Sequence, residues 1–245
     1  MGVKKMRLDL YLSERGLCKS RAAAQSLIAA GGVLVNGRTA AKNSLDVADS
    51  DEVTVLDSVR LEFVGRGGLK LKRAVELWKI DLKGKLCVDI GASTGGFTDC
   101  MLQNGSGKVF AVDVGTNQLD ETLRADGRVI SLENTDIRDF SLPEGISADF
   151  IGADVSFISL KLILPHIYRL LSGSGSAVAL IKPQFEAGRK SLSKRGIVTD
   201  ERTRLRVVAD IADFARQCGF TLSETAQSPI TGGSGNVEYL LYLRK

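Results

Sequence analysis

The sequence predicts an α/β protein in which a small α+β domain precedes a doubly wound sheet, mostly parallel, with an antiparallel last strand. Three observations support this prediction. After about residue 69, five apolar runs alternate with helical stretches, a pattern typical of a parallel sheet covered by helices. A glycine-rich turn follows the first of these runs. Residues 1–58, in contrast, hold short elements around an Asn36-Gly37 pair, which favours a tight hairpin turn.

The composition is that of a globular protein. Apolar residues make up 44% of the 245 residues and charged residues 25%, which argues against disorder. No apolar run approaches the roughly 20 residues of a membrane span, and no apolar segment typical of a secretory signal follows the N-terminus. The four cysteines show no C-x-x-C spacing, which argues against disulfides or a metal site. We therefore expect a cytoplasmic protein without a bound metal.

Positive charge is concentrated at the start of the chain, although the net charge is only +4. Residues 1–45 carry eight Lys or Arg and two acidic side chains, whereas residues 46–57 carry five acidic side chains and no basic one. A basic module of this kind indicates a polyanion as its partner.

The first domain is predicted to contain two helices, near residues 7–16 and 20–31, followed by short strands. The segment "VLVNGRTA" is typical of a strand and a turn, and "DEVTVL" of a further strand. Residues 59–68 contain three glycines and are predicted to join the domains. The expected boundaries are 1–60 for the first domain and 61–245 for the second.

The second domain begins with a predicted helix, "LKLKRAVELWKI". The apolar runs that follow are "KLCVDI", "KVFAVDV", "RVISLEN", "ADFIGADV" and "SAVALIK", with helices near 96–104, 116–125 and 157–171. A long helix near 200–218 precedes two last strands, "ETAQSPI" and "EYLLYLR". This order of elements predicts a Rossmann-like fold.

A glycine-rich loop, "DIGASTGGF" at residues 89–97, lies where the first strand of this domain ends. Its glycines allow a tight turn and the close approach of a ligand to the backbone. Ser93 breaks the G-x-G-x-x-G spacing, which argues against a dinucleotide. An acidic residue, Asp89, precedes the glycines, and no phosphate-binding lysine follows them. The loop therefore suits a ligand without phosphates, such as S-adenosylmethionine.

Two further carboxylates are predicted to line the nucleoside of this ligand. Asp113 ends the second strand, 22 residues after Gly91, where it can accept hydrogen bonds from ribose hydroxyls. Asp136 follows the third strand, where it could meet an adenine amino group. The alternative is a generic glycine turn of a doubly wound fold.

Four polar residues stand out by their positions: Lys70, Asp154, Lys182 and Glu238. Lys70 opens the first helix of the second domain, and Glu238 starts the last strand. Asp154 and Lys182 end the fourth and fifth strands, the sheet edge where open α/β sheets bind ligands. Close to a methyl donor, two lysines and two carboxylates could handle a proton, with a lysine as the base for a hydroxyl. Alternatively, each is an ordinary surface charge.

Long phrases of the sequence resemble known families. Residues 7–60 resemble the S-four-type RNA-binding domain in "RLDLYL", "SRAAAQSLIAAGGVLVNG" and "DEVTVL". Residues 61–245 resemble the FtsJ-like methyltransferases of ribosomal RNA. The whole chain resembles the TlyA family, often named hemolysin, in "DIGASTGGFTDC", "DVSFISL", "LIKPQFEAGR" and "SPITGGSGNVEYL".

The resemblance implies an S-adenosylmethionine-dependent 2′-O-methyltransferase that acts on cytidine in ribosomal RNA. It implies that Lys70, Asp154, Lys182 and Glu238 form a catalytic tetrad. The residues that it places at the cofactor are Asp89, Gly91, Ser93, Gly95, Gly96, Phe97, Asp113 and Asp136.

Basic side chains are expected to hold RNA phosphates. In the first domain and the joint these are Arg7, Arg15, Lys19, Arg21, Arg38 and Arg66. A basic loop at residues 188–196, "GRKSLSKRG", is expected to close over RNA, and the alternative is a solvated charged segment. Its basic residues are Arg189, Lys190, Lys194 and Arg195.

Three other functions stay open at this point. The name hemolysin suggests a membrane-active cytolysin, although the sequence shows no secretion signal, membrane span or evident amphipathic insertion helix. A ribosome-assembly factor would bind RNA without methyl transfer. A small-molecule methyltransferase would leave the basic first domain unexplained.

Overall fold

The computed structural model describes residues 5–18, 20–56, 62–232 and 234–245. The chain divides into two compact units, residues 1–66 and 67–245. The larger unit contains a seven-stranded sheet that is parallel except for one antiparallel strand, the last in the sequence. The predicted α/β fold class is therefore confirmed.

The described part of the small unit contains two helices and five short strands. In chain order these are β1 Lys5–Arg7, α1 Leu8–Glu14, α2 Arg21–Ala29, β2 Val33–Val35, β3 Arg38–Thr39, β4 Asp46–Ala48 and β5 Val53–Val55. β1 pairs with β4, and β2 lies between β3 and β5 in an antiparallel sheet.

Local sequence explains these elements. The hydroxyl of Ser20 caps α2 by accepting a hydrogen bond from the backbone N–H of Ala23 at 3.2 Å. Asn36 and Gly37 both have positive φ, 51° and 73°, and form the tight turn between β2 and β3 that the sequence predicts. Apolar side chains of α1, α2 and β2 form a small core, which includes Leu8, Leu12, Leu27, Ile28 and Val33.

The large unit follows the predicted alternation of helices and strands. Its helices are α3 Gly67–Trp78, α4 Gly96–Gln103, α5 Glu121–Arg124, α6 Leu164–Leu170, α7 Pro183–Glu186 and α8 Glu201–Gln217. Its strands are β6 Leu86–Ile90, β7 Lys108–Val112, β8 Val129–Leu132, β9 Ala148–Ala153, β10 Leu171–Ile181, β11 Leu222–Gln227 and β12 Tyr239–Arg244. Two short 3-10 helices cover Leu160–Leu162 and Arg189–Ser191.

The strand order in the sheet is β11-β12-β10-β9-β6-β7-β8. β6 to β10 run parallel, and β12 runs antiparallel between β10 and β11. β6 lies between β7, which follows it in the sequence, and β9, which comes later. The order in which strands are added to the sheet therefore reverses at β6. Such a switch point opens a crevice at the carboxyl ends of the two strands.

Helices cover both faces of this sheet. On one face, alternate strand residues such as Ile90 and Ile151 form a core with Leu164 of α6 and Ile211 of α8. On the other face the sheet meets α4, because a Cβ atom added at Gly152 would lie 2.6 Å from Met101 and 2.7 Å from Phe97. The ends of β6 and β9 are thus held rigidly between two helical layers.

Several predicted elements differ in extent, and β10 begins at Leu171, five residues before the predicted run "SAVALIK". The helix expected near 116–125 is only Glu121–Arg124, because the carboxylate of Glu133 holds the preceding segment as a loop by accepting from the backbone of Asn117 and Gln118. The helix expected near 157–171 is a 3-10 turn followed by α6, which has a proline in its first turn. α3 already begins at Gly67, within the expected joint, of which residues 59–61 lie outside the described residues.

Candidate active site

The glycine-rich loop brings the ends of β6 and β9 into contact. Gly91 has φ +79°, and a Cβ atom at this position would lie 2.8 Å from the carbonyl oxygen of Asp154. A side chain here would therefore be strained and would collide with the β9 backbone. The close approach places the loop and Asp154 at one edge of the sheet.

A cavity of about 440 Å³ opens at this edge. Its volume falls in the range of small-ligand sites. Apolar side chains at the ends of β6 and β7 line it together with five residues that the sequence predicts for the site: Gly91, Ser93, Asp113, Asp136 and Asp154. Four other residues predicted at the cofactor, Asp89, Gly95, Gly96 and Phe97, do not line this cavity.

Asp113 lines the cavity and connects the two loops that border it. Its carboxylate accepts hydrogen bonds from the backbone N–H of Ser93 and from that of Gly115, each at 2.7 Å. Ser93 itself adopts the left-handed conformation, with φ 49°. One carboxylate thus joins the glycine-rich loop to the loop after β7 and still lines the cavity.

Asp89 is fully buried beneath the glycine-rich loop. Its Oδ2 accepts hydrogen bonds from the backbone N–H of Thr98 at 2.8 Å and from the hydroxyl of Thr98 at 2.7 Å. Its Oδ1 has no hydrogen-bond partner among the described residues. Burial, opposed by the bonds from Thr98, raises the pKa of Asp89 to about 7. Asp89 therefore fixes the start of α4 from beneath the loop and is not exposed to the cavity.

Asp136 lies at the cavity but is engaged by a neighbour. Its carboxylate accepts hydrogen bonds from the Nε of Arg138 at 3.0 Å and from its Nη2 at 2.6 Å. These bonds lower the pKa of Asp136 to about 2, so the group is ionised. Arg138 thus shares the oxygens of Asp136, and the contact of Asp136 with a nucleoside stays a prediction.

Lys70, Asp154, Lys182 and Glu238 meet at one point, although they come from four distant parts of the sequence. The Nζ of Lys70 donates a hydrogen bond to Oδ2 of Asp154 at 3.0 Å and forms an ion pair with Oε2 of Glu238 at 2.7 Å. The Nζ of Lys182 forms an ion pair with Oδ1 of Asp154 at 2.7 Å. Lys70, Lys182 and Glu238 are buried. The four side chains form a charge-balanced cluster, with Asp154 at the cavity wall.

The charges in this cluster stabilise one another. Burial opposes the charged form of Lys70, but Asp154 and Glu238 raise the pKa of Lys70 above its ordinary value. Burial likewise opposes the ionisation of Asp154, but Lys70 and Lys182 hold the pKa of Asp154 below its ordinary value. Lys70 is therefore an ammonium and Asp154 a carboxylate at neutral pH.

Family models match both parts of the chain. The model of the FtsJ-like methyltransferases matches residues 63–245.

The chain belongs to the FtsJ-like methyltransferase family.

An S4 domain model matches residues 6–53, so the predicted combination of an S-four-type domain with an FtsJ-like domain is confirmed.

Relatives of this FtsJ-like methyltransferase span nearly its whole length. The "16S/23S rRNA (cytidine-2'-O)-methyltransferase TlyA" of Mycobacterium tuberculosis is 42% identical over 243 residues, which cover 98% of this chain and 90% of the relative. "Hemolysin A" of Brachyspira hyodysenteriae is 41% identical over 239 residues, which cover 97% of this chain and 99% of the relative. A solved structure that carries the name hemolysin, from Streptococcus thermophilus, matches with a TM-score of 0.77 and 42% identity, covering 100% of this chain and 90% of that chain.

Two residues beside the tetrad of this FtsJ-like methyltransferase are not predicted by the sequence. The hydroxyl of Ser156 accepts a hydrogen bond from the Nζ of Lys182 at 2.8 Å. Phe157 lines the cavity, yet its side chain is 91% exposed and contacts the ring of Phe185 at 5.1 Å between centroids. Its φ of 64° is unusual for a bulky residue. The phrase "DVSFISL" contains both residues, but exposure and φ cannot be read from it.

The basic loop at residues 188–196 lies on the surface of the large unit. Arg189, Lys190, Lys194 and Arg195 are all exposed. The buried amide of Asn236 anchors the end of this loop, since it donates to the carbonyl of Gly196 at 3.1 Å and accepts from the N–H of Val198 at 3.1 Å. The loop is thus attached to the segment that carries Glu238, two residues after Asn236.

The predicted RNA-binding residues of the small unit have different environments. Arg7 and Arg21 both bond to Asp9, Arg15 pairs with Asp49, and Arg38 is exposed on β3. Arg66 is half-buried, and Lys19 lies outside the described residues.

Two features are absent from the part of the chain that the structure describes. No group of three or more His, Cys, Asp or Glu side chains there could hold a metal ion. None of the helices there combines the length and the apolar character needed to cross a membrane.

Proposed function

We propose that this chain transfers a methyl group from S-adenosylmethionine to the ribose 2′-hydroxyl of a cytidine in ribosomal RNA. The observation that carries the proposal is the meeting of two lysines and two carboxylates at the wall of a nucleoside-sized cavity. The relative from Mycobacterium tuberculosis bears a name with this activity and shares 42% of its residues with this chain.

The cavity fits S-adenosylmethionine in its chemistry. Apolar side chains of Ile90, Val112 and Ile137 line it and suit an adenine ring. Asp113 and Asp136 add negative charge, which disfavours phosphates but can accept hydrogen bonds from ribose and adenine. Asp89 does not line the cavity, but its carboxylate lies beneath the loop and would attract the cationic amino-acid end across it. When bound, S-adenosylmethionine supplies a sulfonium methyl group that can be transferred to a nucleophilic oxygen.

Lys182 is the residue that we assign as general base. A lysine accepts a proton only in its neutral form, and Lys70 is held charged by two carboxylates. Lys182 pairs with one carboxylate and with the neutral hydroxyl of Ser156, and it would act as the base after releasing the proton that it carries in the ion pair with Asp154. The 2′-hydroxyl would give its proton to the Nζ of Lys182, and its oxygen would replace sulfur on the methyl carbon, so that the carbon–sulfur bond breaks as the carbon–oxygen bond forms. Such assistance contributes roughly 10²–10⁴ in rate.

The remaining tetrad members orient this base. Asp154 binds Lys182 through Oδ1 and Lys70 through Oδ2, so that neither amine can move without disturbing the carboxylate. Glu238 balances the charge of Lys70 from the other side. We assign positioning of Lys182 and of the ribose to this arrangement.

The small unit supplies RNA affinity in this proposal. Its basic side chains suit phosphates, and its segment 6–53 matches the S4 domain model. We propose that it forms an RNA-binding domain over residues 1–60, that residues 61–245 form the catalytic domain, and that the enzyme acts in the cytoplasm, where ribosomal RNA is found. The basic loop at 188–196 adds phosphate contacts beside the catalytic cluster.

The test is tritium transfer from labelled S-adenosylmethionine to unmethylated 16S and 23S ribosomal RNA, both free and in assembled subunits. Resistance of the labelled nucleotide to alkaline cleavage identifies a 2′-O-methyl group. Lys182→Ala should lower the rate at least about 10²-fold. Lys108→Ala, which removes an exposed lysine at the start of β7, is the matched control and should keep the full rate. Label on bases only, or unchanged transfer by Lys182→Ala, would contradict the proposal.

A further inference from the structure

The small unit contains a buried carboxylate that bonds to two of its arginines. Asp9 lies in α1, and its side chain is 0% exposed. Its Oδ1 accepts from the Nε of Arg7 at 3.0 Å, and its Oδ2 accepts from the Nη2 of Arg7 at 3.0 Å and from the Nε of Arg21 at 2.9 Å. Gln25 donates to the same Oδ2 at 2.9 Å, and the N–H of Leu10 donates to Oδ1 at 3.1 Å.

The two arginines remain accessible on their outer sides. Their side chains are 43% and 49% exposed, while the carboxylate between them is sealed from solvent. Each guanidinium uses only part of its donor set on Asp9. Because both bond to the same Oδ2, the two guanidinium groups are held next to each other, and together with Asp9 they carry one net positive charge.

We propose that Asp9 is a positioning residue that holds Arg7 and Arg21 as a preformed fork for one RNA phosphate. The inference rests on the proposed binding of ribosomal RNA by the small unit. Planar guanidinium groups bind phosphate through paired hydrogen bonds, and holding them in place before binding removes the entropic cost of ordering two long side chains.

The state of the carboxylate agrees with this role. Burial alone would raise the pKa of Asp9, but the bonds from Arg7, Gln25 and Arg21 hold the pKa of Asp9 well below its ordinary value. Asp9 is therefore a permanent anion over the physiological pH range, and the fork does not depend on pH there.

The inference predicts that loss of the Asp9 charge weakens RNA binding, whereas net charge alone predicts stronger binding. Removing a carboxylate from a basic RNA-binding module should strengthen binding if only net charge matters. Asp9→Asn should instead weaken binding about tenfold, since the arginines lose their anchor. Asp49→Asn removes the same charge from an exposed ion pair with Arg15 and serves as the matched control.

The experiment measures binding of the full chain to unmethylated 23S and 16S transcripts over a series of salt concentrations. Asp9→Asn should bind about tenfold more weakly and with a salt dependence reduced by about one phosphate contact. A purely structural defect would not produce this smaller slope together with intact folding. Amide hydrogen exchange of α2 and β2 reports whether the small unit stays folded. Asp49→Asn should bind as tightly as the unchanged chain or more tightly.

A second variant decides the matter if Asp9→Asn unfolds the small unit. Arg21→Lys keeps the charge on an exposed side chain but loses the planar fork, so it should also bind about tenfold more weakly. The inference would be overturned if a folded Asp9→Asn variant bound RNA as tightly as the unchanged chain. The same result for Arg21→Lys would also overturn it. No binding by the unchanged chain would instead overturn the proposed function.

Discussion

Lys70 and Lys182 contact different oxygen atoms of a single carboxylate, that of Asp154, at 3.0 Å and 2.7 Å. Lys70 also pairs with Glu238, whereas Lys182 bonds to the hydroxyl of Ser156. The two amines therefore have unequal surroundings. Lys70 holds the cluster together, and Lys182 is the amine that we propose as the proton acceptor.

Replacing Lys70 should destabilise the fold as well as stop catalysis. Lys70→Gln leaves the carboxylates of Asp154 and Glu238 facing each other in a buried site, which should lower the free energy of unfolding by about 3–5 kcal/mol. Urea denaturation measures this change. Lys72→Gln affects a more exposed lysine on the same helix, paired with Glu76, and should change the free energy by less than about 1 kcal/mol. Equal effects of the two substitutions would contradict the assignment of Lys70.

The hydroxyl of Ser156 should affect the rate but not the cofactor. Ser156→Ala removes the acceptor for Lys182 and should lower the methyl-transfer rate about tenfold, with an unchanged dissociation constant for S-adenosylmethionine. Single-turnover kinetics and calorimetry measure the two quantities. Ser159→Ala is the control, because Ser159 donates to Glu186 and does not line the cavity. A rate for Ser156→Ala equal to that of the control would remove Ser156 from the mechanism.

Asp89 should make the stability of the fold depend on pH. An aspartate in an unfolded chain titrates near pH 4, whereas Asp89 titrates near 7 in the fold, so the folded state binds the additional proton. The stability is complete below about pH 4, falls as the pH rises to about 7, and is constant above it. Asp89→Asn keeps an acceptor for Thr98 and cannot ionise. Its free energy of unfolding, relative to that of the unchanged protein, should rise by a few kcal/mol between pH 4 and pH 8.

The same substitution should separate stability from cofactor binding. A cation held by the loop that covers Asp89 favours the ionised form of this carboxylate, so the affinity of the unchanged protein for S-adenosylmethionine should increase from pH 5 to pH 8, with proton release on binding. Calorimetry in buffers of different ionisation enthalpy detects that proton. Asp89→Asn should bind more weakly and without this pH dependence. If the difference in free energy of unfolding between Asp89→Asn and the unchanged protein did not vary with pH, Asp89 would not be protonated in the ligand-free fold.

Gly232 should be required for the placement of Glu238. A Cβ atom at Gly232 would lie 2.4 Å from Oε1 of Glu238, so Gly232→Ala must displace this buried carboxylate from Lys70. We expect at least a tenfold loss of methyl transfer, because the orienting ion pair is disturbed. Gly127→Ala, at a glycine with no neighbour within 4 Å, should leave the activity unchanged. Full activity of Gly232→Ala would mean that Glu238 can move without consequence.

Phe157 should act on RNA. An aromatic ring that is 91% exposed at the cavity is suited to stack on a nucleobase. Phe157→Ala should raise the KM for RNA about tenfold, with unchanged affinity for S-adenosylmethionine and little change in thermal stability. Leu205→Ala, at a residue that is 53% exposed on α8, is the control. Unchanged kinetics of Phe157→Ala would assign the exposed ring to another role.

The residues at strand ends could be predicted because local sequence decides them. Apolar runs bounded by loops mark β6 to β10, and the polar residue after each run falls on the carboxyl edge of the sheet, as with Asp154 and Lys182. The Asn36-Gly37 turn is equally local. In each case the neighbouring residues contain the physical cause.

Other features depend on contacts between distant residues. The insertion of β12 between β10 and β11 brings Glu238 to Lys70 through strand pairing that no local pattern specifies. The helix expected near 116–125 is shortened by Glu133, which binds the backbone of this segment from the next strand end. The exposure of Phe157 and the sharing of Asp9 by two arginines likewise arise only in the folded chain.

Glu238 directly precedes β12, the last strand in the sequence, which occupies an interior position in the sheet. During synthesis, Lys70 is therefore made 168 residues before Glu238, the carboxylate that completes the cluster. Until β12 pairs between its two neighbours, Lys70 lacks its partner Glu238 and the cluster is incomplete. The order of synthesis thereby delays the assembly of the cluster until the last of its strands has been made.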